Sequence, residues 1–307
     1  MSSLPDSSAD ERILLVHAHP DDETIQNGAT MAQYVAMGRG VTLVTCTAGE
    51  MGEILVPDLE HLAADKEDGL GEHRRGELEL AMKELGVTDH RFLGGFGTYR
   101  DSGMAWHADG YAIPGDDIHE NAFWHADLRE AADHLVSVIR EVRPQVLVTY
   151  DQFGNYGHPD HIQAHRVATY AAALALVPSY KPELGEPWDI TKIYWSAMSE
   201  TRFRTMLRRM REEGDTETFE GMDPDGDFGP WVTPDAMISA RIDGSDLLAT
   251  KLDALSQHRS QVEQNGPFFR GSENGQSMFG EEFYRLAKGE QGATDDRGWE
   301  TDLFSGL

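Results

Sequence analysis

Hydrophobic residues recur along the first two thirds of the chain with two different spacings. Short continuous apolar runs predict buried strands at residues 11–18, 41–47, 90–95, 145–151 and 191–198. The segments between them have longer apolar or amphipathic patterns, which predict helices at residues 23–38, 72–86, 126–144 and 161–177. Short strands that alternate with helices are typical of parallel sheets with helices on both faces. The pattern therefore predicts an α/β fold, namely a Rossmann-like, doubly wound and mainly parallel sheet.

The pattern is weaker after residue 200, where shorter elements are predicted. A basic helix at residues 201–213 precedes an acidic loop, a strand-like stretch at 231–243 and a helix at 245–258. We predict a flexible N-terminus at residues 1–10 and a Rossmann-like core at residues 11–200. Residues 201–307 are predicted to form a smaller C-terminal lobe packed on this core. Two long loops, at 48–71 and 94–125, are expected to carry function.

Charge and cysteine content limit the partners and the compartment. The chain of 307 residues has 54 acidic and 26 basic residues, and its net charge of −28 repels phosphate groups and anionic lipid. We therefore expect no nucleic-acid or membrane partner, and the oligomeric state stays open. Cys46 is the single cysteine and lies in an apolar strand, so we expect a core residue, no internal disulfide and a cytoplasmic location. The first residues also lack the basic and apolar regions of a signal peptide.

Ionisable residues directly follow two of the predicted strands. HAHPDDE, at residues 17–23, follows the first strand, and GHPDH, at residues 157–161, follows the fourth. In a doubly wound sheet these two strands are neighbours, and ligands bind outside their carboxyl ends. A dinucleotide site would need G-x-G-x-x-G after the first strand, but neither this motif at that place nor a P-loop occurs. Imidazole and carboxylate groups without sulfur instead predict a Zn²⁺ or Fe²⁺ site.

The motifs resemble those of a known enzyme family. VHAHPDDE, TCTAGEMGE, RDSGM, GHPDH and RGWETDL occur in this order along nearly the whole chain. The sequence is similar to the zinc-dependent N-acetylglucosaminyl deacetylases of the LmbE-like (glycosylphosphatidylinositol deacetylase) superfamily, and within it to the N-acetyl-glucosaminyl-inositol deacetylases of mycothiol biosynthesis. The resemblance implies one Zn²⁺ per chain and hydrolysis of the acetamide of an amino-sugar inositol.

The resemblance also implies roles for residues of the two strand-end motifs. The zinc ligands fall on His19, Asp22 and His161. The general base falls on Asp21, which stands beside a ligand and can accept a proton from water activated by the metal. Two further histidines match no ligand role, His17 and His165.

The remaining implied roles concern the leaving group and the substrate. His158 is implied to assist the departing amine, with Asp160 orienting it, and Tyr156 is implied to polarise the carbonyl. The residues implied to bind the sugar and inositol hydroxyls, or to lie near them, are Arg74, Asp101 and Glu53. From the residues alone, Arg74 could instead pair with Glu77 on its own helix, and Asp101 could merely cap its loop.

Two other function classes stay open at this point. A mycothiol S-conjugate amidase would share the metal site, but in that relative a lysine closely follows the first motif, and residues 21–30 contain none. A non-enzymatic metal-binding protein would not need Asp21, Tyr156 and His158 together. The sequence therefore favours the deacetylase.

Overall fold

A computed structural model of the chain describes residues 10–216, 218–264, 266, 269 and 278–307. The predicted flexible N-terminus, residues 1–10, lies outside the described residues except for Asp10. The strands are β1 Arg12–His17, β2 Gly40–Thr45, β3 Asp89–Phe92, β4 Ala105–Trp106, β5 Ala112–Ile113, β6 Val146–Thr149, β7 Lys192–Ala197, β8 Ala240–Asp243 and β9 Glu281–Lys288. The helices are α1 Asp22–Ala36, α2 Leu70–Leu85, α3 Leu128–Val142, α4 Gly154–Gly157, α5 Pro159–Ala175, α6 Glu200–Glu212 and α7 Leu248–Leu255.

Seven of the strands form one mixed sheet, in the order β3-β2-β1-β6-β7-β9-β8. The first five of these are parallel and have the neighbours expected in a doubly wound sheet, so the predicted fold class is confirmed. β9 and β8 extend the sheet beyond β7 as antiparallel strands, and β9 is not among the predicted elements. The division into a core ending near residue 200 and a C-terminal lobe stays a prediction, although β8 and β9 complete the same sheet.

The central strand β1 is buried on both of its faces. Ile13 and Leu15 pack with residues of α1 and α2, whereas Leu14 and Val16 pack with residues of α3 and α5. This split follows from the alternation of side chains along a strand. Cys46, just after β2, lies in the same core as Leu14, as predicted.

Helix α2 follows its sequence pattern closely. Its apolar face, Leu78, Met82 and Leu85, is buried, and the helix ends at Gly86 in the left-handed conformation with φ 75°. Glycine is favoured at such an end because it has no Cβ to clash. The buried side of the same helix also carries Arg74, which therefore faces the interior of the protein.

The two long loops both reach the carboxyl ends of β1 and β6. The backbone N–H of Met51, in the first loop, donates to Asp101 in the second at 3.1 Å, and Ser102 donates to Asp160 near the start of α5 at 2.9 Å. The loops thus surround the edge of the sheet where the motif residues lie. No helix within the described ranges combines the length and the apolar character needed to cross a membrane.

Candidate metal centre and active site

Two neighbouring strand ends bring the predicted metal ligands together. β1 ends at His17, the following turn carries His19, and α1 begins at Asp22. β6 is the parallel neighbour of β1 and is followed by α4 and then by α5, which carries His161 in its first turn. HAHPDDE and GHPDH therefore meet at one edge of the sheet, as the predicted strand order requires.

The three predicted ligands converge on one carboxylate oxygen. Asp22 Oδ2 lies 3.2 Å from His19 Nδ1 and 3.3 Å from His161 Nε2, and all three side chains are buried. Within the described part of the chain, His161 Nε2 has no hydrogen-bond partner. A buried polar nitrogen without a partner is unfavourable unless something else binds it. These residues therefore fit a divalent metal ion.

Further ligand atoms lie in the same cluster. Those of His19, His158 and His161 are within 4.8 Å of one another, and so are those of His19, Asp101 and Asp160. Both sets consist of imidazole or carboxylate groups, which are ligands that Zn²⁺ and Fe²⁺ accept. Which members of the cluster hold the metal stays a prediction.

Tyr150, which the sequence analysis did not single out, orients Asp22. Its hydroxyl donates to Asp22 Oδ2 at 2.7 Å and accepts the backbone N–H of Ala18 at 2.9 Å. His17 Nδ1 lies 3.3 Å from the same hydroxyl, and His165 Nδ1 lies 3.0 Å from the Tyr150 carbonyl oxygen. The two histidines without a predicted ligand role thus support the residue that holds Asp22. The only signal for Tyr150 in the sequence is its position directly after β6.

Asp21 connects the turn after β1 to α1 in an unusual backbone conformation. Its φ of 112° is rare for a residue with a side chain. The side chain does not cap α1, and Arg74 Nη2 donates to it at 3.1 Å. Burial raises the pKa of the Asp21 carboxyl to about 6, opposed by Arg74 and reinforced by Asp22. A carboxylate with a pKa near neutrality is suited to general base catalysis.

Arg74 is directed at this turn rather than along its own helix. It donates to the carbonyl oxygen of Gly49 at 2.8 Å and to that of Pro20. A Cβ on Gly49 would lie 2.0 Å from Arg74 Nη1, so the glycine makes room for the guanidinium group. Glu77 instead accepts two hydrogen bonds from Ser260, so the pair between Arg74 and Glu77 considered from the sequence is not formed.

His158 precedes α5 and caps its N-terminus. Its Nδ1 accepts the backbone N–H of Asp160 at 3.1 Å, and Pro159 occupies the first position of the helix. Burial lowers the pKa of His158, and the neighbouring His19 and His161 lower it further. The neutral ring is therefore favoured, and with Nδ1 accepting, its proton lies on Nε2.

The carboxylate of Asp160 contacts Ser102 and His19. It accepts the backbone N–H of Ser102 at 2.9 Å and also the Ser102 hydroxyl, and its Oδ2 lies 3.2 Å from His19 Nε2. Asp101 Oδ1 lies 3.5 Å from the same His19 nitrogen. The Asp160 side chain thus holds His19 and the second long loop, and its backbone N–H donates to His158.

Tyr156 lies beside the cluster among other aromatic rings. Its ring stacks on Trp231 at 5.1 Å between centroids and meets the His161 ring edge-on at 5.2 Å. Burial raises the pKa of the Tyr156 phenol, so the hydroxyl stays protonated and can donate a hydrogen bond.

Gly157 has a φ of 101°, and a Cβ there would lie 2.5 Å from a backbone oxygen of β5, so glycine allows this close approach.

Comparison with known proteins agrees with this geometry. The sequence profile of the family described as "PIG-L: GlcNAc-PI de-N-acetylase" matches residues 14–172, a span that includes both strand-end motifs. The chain belongs to the PIG-L family. The membership that the motifs indicated is therefore confirmed.

Two relatives of this PIG-L protein match it over nearly its whole length. A protein from a Nocardioides species is 71% identical over 299 residues, which covers 97% of this chain and 99% of the relative. One from Kribbella flavida is 62% identical over 308 residues and covers 100% of both chains. Each is named 1D-myo-inositol 2-acetamido-2-deoxy-alpha-D-glucopyranoside deacetylase.

A solved structure has a similar fold. The N,N'-diacetylchitobiose deacetylase from Pyrococcus horikoshii has a TM-score of 0.59 and 21% sequence identity, with 90% of this chain and 83% of that chain covered. At this level of identity the likeness supports the architecture, a mainly parallel sheet with flanking helices, and nothing finer.

One predicted site residue of this PIG-L protein is exposed, whereas the others are buried or partly buried. Glu53 is exposed on the first long loop, and among the described residues it forms no hydrogen bond or ion pair. Glu50 on the same loop is buried and accepts the backbone N–H of Asp101 at 2.9 Å. Sequence reasoning missed Glu50 because both glutamates stand in one motif and only the fold distinguishes them.

Proposed function

We propose that this chain is a metal-dependent deacetylase that hydrolyses the acetamide of N-acetyl-glucosaminyl-inositol in mycothiol biosynthesis. One observation carries the proposal: Asp21, a carboxyl group of raised pKa, stands beside a cluster in which His161 Nε2 faces Asp22 but has no hydrogen-bond partner among the described residues. The names of the relatives from Nocardioides and Kribbella flavida, which match nearly the whole chain, support the substrate.

We propose Zn²⁺ as the metal, held by His19, Asp22 and His161, with Fe²⁺ as the alternative that the same ligands accept. When bound, the ion would polarise the acetamide carbonyl and lower the pKa of water to about 7. The contacts of Asp160 with His19 and of Tyr150 with Asp22 support this assignment, because such partners fix the orientation of ligands.

Asp21 is proposed to accept the proton of the attacking water. A pKa of about 6 leaves most of the carboxylate ionised at neutral pH, and Arg74 holds it in place with a 3.1 Å hydrogen bond. The protonated carboxyl can then return the proton to the departing amine. The water thus supplies its oxygen and one proton to the acetic acid that is formed and its other proton to the amine nitrogen, and Asp21 is regenerated.

His158 and Tyr156 are proposed to stabilise the negative charge that develops on the carbonyl oxygen. Each offers a proton for a hydrogen bond, from Nε2 of the neutral His158 ring and from the protonated phenol. Removal of one such donor typically lowers the rate on the order of 10²–10³-fold. His158 stays the residue proposed to assist the departing amine, oriented by the hydrogen bond that its Nδ1 accepts from the backbone N–H of Asp160.

Arg74, Asp101 and Glu53 stay the proposed hydroxyl-binding residues. Asp101 is a buried member of the cluster and Arg74 is buried beside Asp21, while Glu53 is exposed on the first long loop. The terminal nitrogens of Arg74 already donate within the protein, whereas its Nε has no hydrogen-bond partner among the described residues, so the guanidinium group is not fully paired. Polar groups of this kind discriminate well, because a ligand that lacks the matching hydroxyl leaves them unpaired.

The proposed setting is the cytoplasm, without a nucleic-acid or membrane partner. The net charge of −28 supports both exclusions, because acidic surfaces repel phosphate. The buried, unpaired thiol of Cys46 is compatible with a reducing compartment.

The substrate is tested by measuring kcat/KM on one metal-loaded preparation with three compounds. N-acetyl-glucosaminyl-inositol is expected to be deacetylated far faster than free N-acetylglucosamine, and a mycothiol S-conjugate is expected to be a poor substrate. If kcat/KM for the S-conjugate were higher by about tenfold, which corresponds to about 1.4 kcal/mol of transition-state stabilisation, the proposed function would be that of the amidase.

A further inference from the structure

The backbone of Asp21 is held by contacts at both ends of the residue. With φ 112° and ψ −35° it adopts a conformation that residues with a side chain rarely keep without support from their surroundings. Its carbonyl oxygen accepts the N–H groups of Thr24 at 3.0 Å and Ile25 at 2.9 Å. Its own N–H donates to Glu23 Oε2 at 3.0 Å. The Glu23 side chain is therefore the group that fixes the N-terminal side of Asp21.

Glu23 is itself fully buried and needs partners of its own. Its Oε1 accepts the Thr24 hydroxyl at 2.6 Å and faces His258 Nε2 at 3.1 Å. Only a carboxylate can accept from all three donors, since an amide would present an N–H group to one of them. The two Glu23 oxygens thus have different partners: Oε2 accepts from Asp21, and Oε1 contacts Thr24 and His258.

His258 comes from a distant part of the chain, three residues after α7. It is fully buried, and its backbone N–H donates to Leu255 at 3.1 Å, which fixes the start of the segment. Ser260 ties the same segment to Glu77 of α2 through bonds of 2.8 and 2.6 Å. His258 is thus buried against Glu23 in a segment bonded to α7 and α2, although neither residue takes part in the proposed chemistry.

We infer that Glu23 and His258 are positioning residues for Asp21. His258 anchors one oxygen of Glu23, so the other oxygen stays on the Asp21 N–H and keeps the Asp21 carboxylate beside Arg74 and the metal ligands. The inference rests on the proposed role of Asp21 as the base. Release of this anchor would displace the carboxylate without removing any ligand, and a displacement of about 1 Å lowers a rate on the order of 10²-fold.

Two substitutions of His258 test the inference in the full, metal-loaded chain. His258→Leu removes the donor, and kcat is expected to fall on the order of 10²-fold while KM and metal content stay near their wild-type values. His258→Gln keeps an N–H donor and is expected to recover most of the lost activity. Ser260→Ala is the matched control, because it alters the same buried segment but contacts Glu77, and it should lower the melting temperature without changing kcat.

An Asp21→Ala background separates positioning from a general structural role. If His258 acts through Asp21, adding His258→Leu changes the residual rate by less than about twofold. A further loss on the order of 10²-fold in this background, or no recovery with His258→Gln, would overturn the inference. An Asp21→Ala enzyme with wild-type kcat would instead refute the proposed base.

Two further measurements keep the test decisive. Glu23→Gln cannot accept all three hydrogen bonds and is expected to repeat the loss of kcat, so it replaces His258→Leu should that variant not fold. A crystal structure of the variant is expected to show Asp21 outside the positive-φ region or turned away from Arg74. An unchanged Asp21 in a variant of low kcat would contradict the inference.

Discussion

Two groups of buried charges in this protein lie on the same sheet but differ in how completely they are paired. At the amino end of β7, Lys192 is 1% exposed and its ammonium group donates to Glu300 Oε1 at 2.6 Å, to the carbonyl oxygen of Ser305 at 2.6 Å and to the Tyr194 hydroxyl at 3.3 Å. Glu300 also accepts from Tyr194 and from the backbone of Gly292. The chain itself supplies a partner for every donor of the lysine.

At the carboxyl ends of β1 and β6 the pairing is incomplete. His19, Asp22 and His161 lie close together, yet His161 Nε2 has no hydrogen-bond partner within the described ranges. Asp21 beside them is kept in a rare backbone conformation, and burial raises its pKa to about 6. Strain and unmatched polar atoms persist at this edge of the sheet.

The difference separates a structural network from a functional one. Burial of charge is unfavourable unless the charge is paired, so a network closed by the chain, like that of Lys192, needs nothing more. A network left open needs a partner from outside the chain, here a metal ion and a substrate. Substitutions should therefore affect folding at Lys192 and chemistry at His161.

Removal of a metal ligand should have the largest effect. His161→Ala is expected to lose most of its bound metal and to reduce deacetylation to background, because activation of water depends on the ion. Elemental analysis and a deacetylation assay measure both effects. Full metal occupancy with unchanged affinity would exclude His161 from the ligand set and weaken the contrast between the two networks.

Removal of the proposed base should be nearly as severe but selective. Asp21→Asn keeps the shape of the side chain and cannot accept a proton, so kcat is expected to fall roughly 10²–10⁴-fold. Metal content and melting temperature should stay close to those of the wild-type protein. A variant that turns over at a near wild-type rate would show that the raised pKa of Asp21 has no catalytic use.

The closed network should respond in stability instead. Lys192→Met leaves Glu300 buried without its cation and is expected to lower the free energy of unfolding by about 3–5 kcal/mol, with kcat unchanged while the protein is folded. Denaturant titration measures this change. Lys66→Met is the matched control, because the pair of Lys66 with Glu60 is exposed and contributes at most about 1 kcal/mol. Equal effects of the two substitutions would contradict the assigned role of the buried network.

Local sequence patterns predicted most of the fold, and the limits of the prediction have physical causes. Apolar runs mark β1 and its parallel neighbours because these strands are buried on both faces. β9, with the sequence EEFYRLAK, mixes charged and apolar positions, and it is buried by its pairing with β7 and β8 and by contacts with α1 and α7. Its place in the sheet depends on contacts that no local pattern records.

The candidate site has the same limit. His19, Asp22 and His161 stand in motifs that resemble those of the family, so the resemblance implied them as ligands before the fold was known. The contact of Tyr150 with Asp22 spans 128 residues, and that of His258 with Glu23 spans 235, so neither supporting residue could be assigned before the fold was known.

The smallest expected effect concerns one of these supporting residues. Tyr150→Phe removes the hydroxyl that donates to Asp22 at 2.7 Å but keeps the ring in the core, so the fold should persist. Loss of such an orienting partner typically weakens metal affinity by about 10–100-fold. Competition with a chelator measures the affinity. Tyr180→Phe is the control, because its hydroxyl donates to Asp133 at 2.6 Å on α3, and it should leave metal binding unchanged. Equal metal affinities in the two variants would mean that Asp22 keeps its position without Tyr150. The orientation of His19, Asp22 and His161 would then not need the Tyr150 hydroxyl.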